Sequence, residues 1–208
     1  MLYYRLLNCR ASGLLEQSDG PKRGIGRFLM ENLLAPARSS GSFVESNGMT
    51  MRRIYIETTI PSFYYEVRVE PEMVARRNWT REWFDAASGS EEFVTSTAVL
   101  LELERGTFPG RSDAVKLISN LPPLAVTKDV EQIVEEYISR LLMPSDPSGD
   151  ALHLALASFY ECEFLVTWNC KHLANANKFD NIARINDILG LAIPKIVTPL
   201  ELLEYDDE

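Results

Sequence analysis

The chain has 208 residues, 46% hydrophobic and 25% charged, which suits one globular domain with a sizeable core. A net charge of −9 excludes the broad basic coat of a general nucleic-acid binder, yet suits an enzyme that gathers carboxylates around a cation. No apolar run approaches the roughly 18 to 20 residues needed to span a bilayer. Three irregularly spaced cysteines (Cys9, Cys162 and Cys170) form no disulfide framework, so the expectation is a cytoplasmic protein with no membrane partner.

Residues 1–48 hold Ser/Gly clusters such as ARSSGS and little periodicity. They are expected to be a flexible extension, or a mis-called start with Met49 or Met51 as the true one; residues 49–208 then form the folded domain. Ile54–Ile56 is strand-like and ends on Glu57. Pro71 stands at a first helical position, predicting a helix to Ala87. Glu92–Thr95 reads as a strand, and Ser96 caps the helix TAVLLELERG, closed by Gly106. Arg111–Asn120 is helical, Leu124–Val126 a strand, and Lys128–Leu142 an amphipathic helix. Asp146 reads as the cap of a helix that has Pro147 just inside it and runs to about Tyr160. Phe164–Thr167 is the next strand, Asn181–Leu189 a helix, Lys195–Val197 a short strand and Pro199–Leu203 a final helical turn. This alternation predicts an α/β fold, a three-layer α/β/α sandwich around a mostly parallel central sheet.

Ligands of open parallel sheets bind beyond the carboxyl ends of the strands. Glu57 follows the first strand and Glu102 lies on the helix after the second. Asp150 falls in the first turn of a later helix, and Asn169 comes just after FLVT. Each alone has an ordinary reading as a loop acid, a solvated helix face, a dipole partner or a turn former. Together they form an oxygen-rich set without a paired Cys/His motif, which suits Mg²⁺ or Mn²⁺ rather than Zn²⁺. The chemistry that fits is metal-assisted phosphodiester hydrolysis. Thr58, Thr59 and Thr167 are candidates to orient water or phosphate, and His172 to contact substrate or brace its loop. His153, three residues after Asp150, shares its side of the helix and is read chiefly as a satisfied, partly buried histidine. Trp79 and Trp83 read as a core stripe with Arg76, Arg77 and Arg81 in water, or as an RNA-guiding basic face or a dimer or antitoxin contact. Tyr64, Tyr65 and Arg68 flank the first acid and offer surfaces for an unpaired base.

With these residues in place the chain resembles the PIN-domain family, especially the toxin ribonucleases of bacterial toxin–antitoxin pairs. The resemblance runs from about Met51 to Leu203 through IYIETTIPSFYYE, TSTAVLLELERG, GDALHLALASFYECEFLVTWNCKHLAN and INDILGLAIPKIVTPLELL. It implies a metal-dependent endoribonuclease in which Glu57, Glu102 and Asp150 bind Mg²⁺ or Mn²⁺ and Asn169 completes the catalytic set. It further implies an RNA substrate, a cognate antitoxin and a homodimer. Two positions depart from the family pattern. Glu57 stands where Asp is usual, and Asn169 is neutral where Asp is frequent, which favours one metal, or two completed by the substrate, over a tight pair. The competing expectation is a non-catalytic module of the same fold that binds RNA or protein.

Overall fold

The computed structural model describes residues 51–203; the expected extension over residues 1–48 lies outside the described residues. Five strands form one all-parallel sheet: β1 (Arg53–Ile56), β2 (Glu92–Ser96), β3 (Pro123–Leu124), β4 (Phe164–Val166) and β5 (Lys195–Val197), in the order β3-β2-β1-β4-β5. Among the described residues seven α-helices connect and cover them: α1 (Thr59–Tyr64), α2 (Pro71–Ala87), α3 (Thr97–Arg105), α4 (Arg111–Ser119), α5 (Lys128–Ser139), α6 (Asp150–Phe159) and α7 (Ala176–Leu189). A 3₁₀ turn, Pro199–Leu202, follows β5. The result is the predicted three-layer α/β/α architecture. No helix among the described residues is long and apolar enough to cross a membrane.

Both faces of the sheet are covered, so the buried positions of β1 and β4 are apolar. Ile54, Tyr55 and Ile56 of β1 and Leu165 and Val166 of β4 are buried, in register Ile54↔Phe164 to Ile56↔Val166. Helix α6 is buried along almost its whole length, from Ala151 to Ser158. Behind it Tyr137 of α5 donates to Asn186 Oδ1 at 2.6 Å, and the Asn186 amide donates to Ser158 Oγ at 2.9 Å. This buried polar chain ties α5, α6 and α7 with its partners satisfied.

Several elements differ locally from the sequence expectation. Helix α1 has no counterpart among the expected elements; Pro61 fits because it lies in the first turn, where a backbone N–H has no helical acceptor. Helix α6 starts at Asp150 rather than after Asp146. Asp146 instead closes a tight turn, its Oδ1 accepting the backbone N–H and the hydroxyl of Ser148 at 3.0 and 2.8 Å. Helix α5 stops at Ser139 because Leu141 adopts φ +57°. Helix α7 begins at Ala176, five residues before the expected Asn181, where Asn175 caps it by accepting the Asn177 N–H. Strand β3 is displaced to Pro123–Leu124.

The chain runs from β1 outward through β2 to β3, then returns to place β4 on the other side of β1. The carboxyl ends of β1 and β4 therefore flank the topological switch point, where a crevice opens in sheets of this kind.

Candidate metal centre

Glu57 leaves β1 at this switch point and is only 5% exposed. Three donors converge on its Oε2: the Thr59 backbone N–H at 3.0 Å, the Thr59 hydroxyl at 2.6 Å and the Thr167 hydroxyl at 2.9 Å. Each hydroxyl is itself fixed from behind. The Trp168 N–H donates to Thr59 Oγ1 and the Asn169 N–H to Thr167 Oγ1, both at 2.8 Å. The three bonds leave Oε1 out. Burial pushes the Glu57 carboxyl above its ordinary range; the charge of His153 and the bonds from Thr59 and Thr167 oppose this without cancelling it.

Glu102 approaches from α3, whose start is set by Ser96 accepting the Val99 N–H. The Thr58 hydroxyl donates to Glu102 Oε2, and His153 Nε2 lies 3.3 Å from each of its carboxylate oxygens. Burial would raise the Glu102 carboxyl, but the His153 hydrogen bond and charge, with Thr58, bring it below its ordinary range. His153 projects from α6 and is buried. Its Nδ1 is 2.9 Å from Tyr55 Oη, which is 2.8 Å from Ser96 Oγ. Burial disfavours the imidazolium, yet the Glu102 hydrogen bond and the charges of Glu102, Glu57 and Asp150 outweigh it and raise the His153 pKa.

Asp150 stands in the first turn of α6 and accepts the Asn169 amide N–H at 2.7 Å on Oδ1. Asn169 Oδ1 accepts the His172 backbone N–H at 3.2 Å, so both ends of the amide are used and its orientation is set. Burial raises the Asp150 carboxyl, against the charges of His153 and His172 and the Asn169 bond.

The structure thus brings Glu57 and Glu102 together, with His153 as the third member. One ligand atom from each lies within 4.8 Å of the others. Asp150 stands outside that trio, coupled to it through the charges of His153 and Glu102 and held by Asn169. Thr58, Thr59 and Thr167 all hold carboxylates, and His172 reaches the site through Asn169. His153 is the residue the sequence-based ligand set lacks, although its i+3 spacing from Asp150 carries the signal. Among the described residues no Lys or Arg forms an ion pair with Glu57, Glu102 or Asp150. Glu57 is buried without such a partner, which favours a cation. The donor set, carboxylate oxygens with one imidazole and no thiolate, fits a hard or borderline divalent ion.

Around the site, Trp168 donates from Nε1 to Thr80 Oγ1 at 2.8 Å and stacks on Trp79 at 6.2 Å. The Arg76 guanidinium lies 5.5 Å from the Phe63 and Trp168 ring centres, and Arg81 sits over Tyr64. Trp83 packs in the core against Phe84 and Phe93. No protein-family model, curated protein or solved structure matches the chain.

Proposed function

We propose that the protein is a Mg²⁺- or Mn²⁺-dependent endoribonuclease of the PIN kind, acting in the cytoplasm as the toxin of a toxin–antitoxin pair. The observation that carries the reading is the convergence of the buried Glu57 with Glu102 and His153 at the switch point, with Asp150 beside them. A homodimer and an antitoxin segment reaching into the pocket are part of the same proposal, and rest on the resemblance alone.

When bound, the cation supplies Lewis-acid stabilisation of the charge that develops on the phosphoryl oxygens during hydrolysis. Glu57 and Glu102 would hold it, and the Thr58, Thr59 and Thr167 hydroxyls fix the direction of their carboxylates. Asp150 keeps Oδ1 on the Asn169 amide, so Oδ2 is the atom placed to take a proton from the attacking water. Its raised pKa brings its basicity toward that role. Water adds to phosphorus as the opposite P–O bond of the RNA breaks, and the leaving oxygen takes a proton from solvent. Asn169 orients Asp150 and, through His172, the loop against which the substrate lies.

Glu57→Ala and Asp150→Asn are each expected to lower RNA cleavage in Mn²⁺ by about 10²-fold or more. Cleavage at the wild-type rate by both variants sinks the proposal. One observation favours the alternative of a non-catalytic binding module: the Glu102–His153 pair already gives one carboxylate a cationic partner. Calorimetric titration decides between them, since a folded protein that takes up no Mn²⁺ at millimolar concentration belongs to the second class.

A further inference from the structure

Helix α6 contributes more to the centre than an acid at its first turn. His153 is 1% exposed, and its two nitrogens are held very differently. Nδ1 makes a bond of ordinary length, 2.9 Å, to Tyr55 Oη. Nε2 faces the fork of Glu102 at 3.3 Å from both oxygens, longer than a charge-assisted bond prefers. Two donors bound at right angles to one cation, with bonds of about 2.1 to 2.2 Å, lie about 3 Å apart. The Nε2–Glu102 separation is therefore close to that of neighbouring ligands in one coordination sphere. Glu57 completes the trio and leaves Oε1 outside its three hydrogen bonds.

Behind the ring, the structure has the support that a ligating imidazole needs. Tyr55 Oη can accept a proton bond from Nδ1 and donate its own to Ser96 Oγ, which also accepts the Val99 N–H. A cation bound there would displace the Nε2 proton that meets Glu102 in the metal-free protein, and that tautomer then leaves the Nε2 lone pair on the Glu102 side. An imidazole whose other nitrogen is tied to a fixed partner is the usual second layer of a metal site.

We propose that His153 is a metal ligand, making Glu57, Glu102 and His153 a mixed nitrogen–oxygen centre that selects Mn²⁺ over Mg²⁺. The inference rests on the cation-binding part of the function proposed above, and does not depend on RNA being the substrate. Imidazole favours first-row transition ions, whereas Mg²⁺ favours an all-oxygen shell and retains its waters.

The chain has two histidines, which makes the test clean. Electron spin-echo modulation of Mn²⁺ bound to the full chain is expected to show a directly coordinated ¹⁴N. ¹⁵N-histidine labelling should convert that signal to ¹⁵N without any substitution. The coupling should persist in His172→Gln and vanish in His153→Gln. His153→Gln should also lower Mn²⁺ affinity by roughly tenfold or more while moving Mg²⁺ affinity much less. Bound Mn²⁺ without nitrogen coupling in the wild type, or coupling lost in His172→Gln, overturns the inference and leaves the nuclease reading standing. Nitrogen-coupled Mn²⁺ in a protein that cleaves no RNA does the reverse.

Discussion

Thr59 makes three bonds at once: its backbone N–H and hydroxyl both donate to Glu57 Oε2, and its hydroxyl oxygen accepts the Trp168 N–H. A hydroxyl has one proton to donate, and here it goes to the carboxylate, so the direction of every bond is determined. Thr59→Val keeps the shape but removes the donor and leaves the Trp168 N–H without its acceptor. The expected result is a fall in RNA cleavage of about 10- to 100-fold with the fold retained, as for loss of a group that orients a metal ligand. Thr59→Ser keeps the hydroxyl and should retain most of the rate. Equal rates for the Val variant and the wild type would show that Glu57 is held without Thr59. At this scale the sequence displays which acids stand near strand ends, because β-branched runs and caps announce where strands stop. It does not display that Thr58 turns to Glu102 while its neighbour turns to Glu57. That choice follows from α1 beginning at Thr59, a helix hidden by two threonines and a proline.

Ser96 joins two elements, capping α3 through the Val99 N–H and accepting or donating a bond with Tyr55 Oη on β1. Helix α3 carries Glu102, and Tyr55 backs His153, so one hydroxyl sets the position of both partners across the centre. Ser96→Ala is expected to cost about 1 kcal/mol for the cap alone. Tyr55→Phe removes the other end of the same hydrogen bond from a fully buried site, at about 1 to 3 kcal/mol. Because the two hydroxyls bond each other, the double variant should be less destabilised than the sum, with a coupling of about 0.5 kcal/mol or more in urea unfolding. Strict additivity would remove the link between β1 and α3. The strands β1, β2, β4 and β5 are legible as short apolar runs, and the helices α2 and α3 because a first-turn proline, a cap or a glycine marks their ends. The start of α6 was misread because Asp146 has the chemistry of a cap but applies it to Ser148 in a turn, and no local pattern distinguishes the two uses.

Across the whole molecule, the centre sets a cost for the metal-free protein. The folded-state pKa of Glu57 lies above its unfolded value near 4.3, so the folded chain binds that proton more tightly than the unfolded chain. Its contribution to stability is therefore greatest below the unfolded pKa and is lost as pH rises through the folded pKa. At neutral pH the ionised carboxylate remains buried without a basic side chain paired to it among the described residues. Glu57→Gln keeps an oxygen for Thr59 and Thr167 and removes the charge. In the presence of chelator it should unfold at the same temperature as wild type near pH 4. At pH 7 it should be more stable by about 1 to 3 kcal/mol, which for a chain of this size corresponds to about 2 to 4 °C per kcal/mol. Asp150 shifts in the same direction but is present in both proteins, so it cancels from the difference. Adding Mn²⁺ at about 100 times its Kd should raise the wild type by about 2.7 kcal/mol and the variant by far less, closing or reversing the order. Thermal unfolding at pH 4 and pH 7, with chelator and with Mn²⁺, reads all four conditions. A variant no more stable than wild type at pH 7 without metal would mean that the hydroxyls alone suffice to hold the Glu57 charge. The cation of the proposed function would then not be needed to balance the buried charge of Glu57.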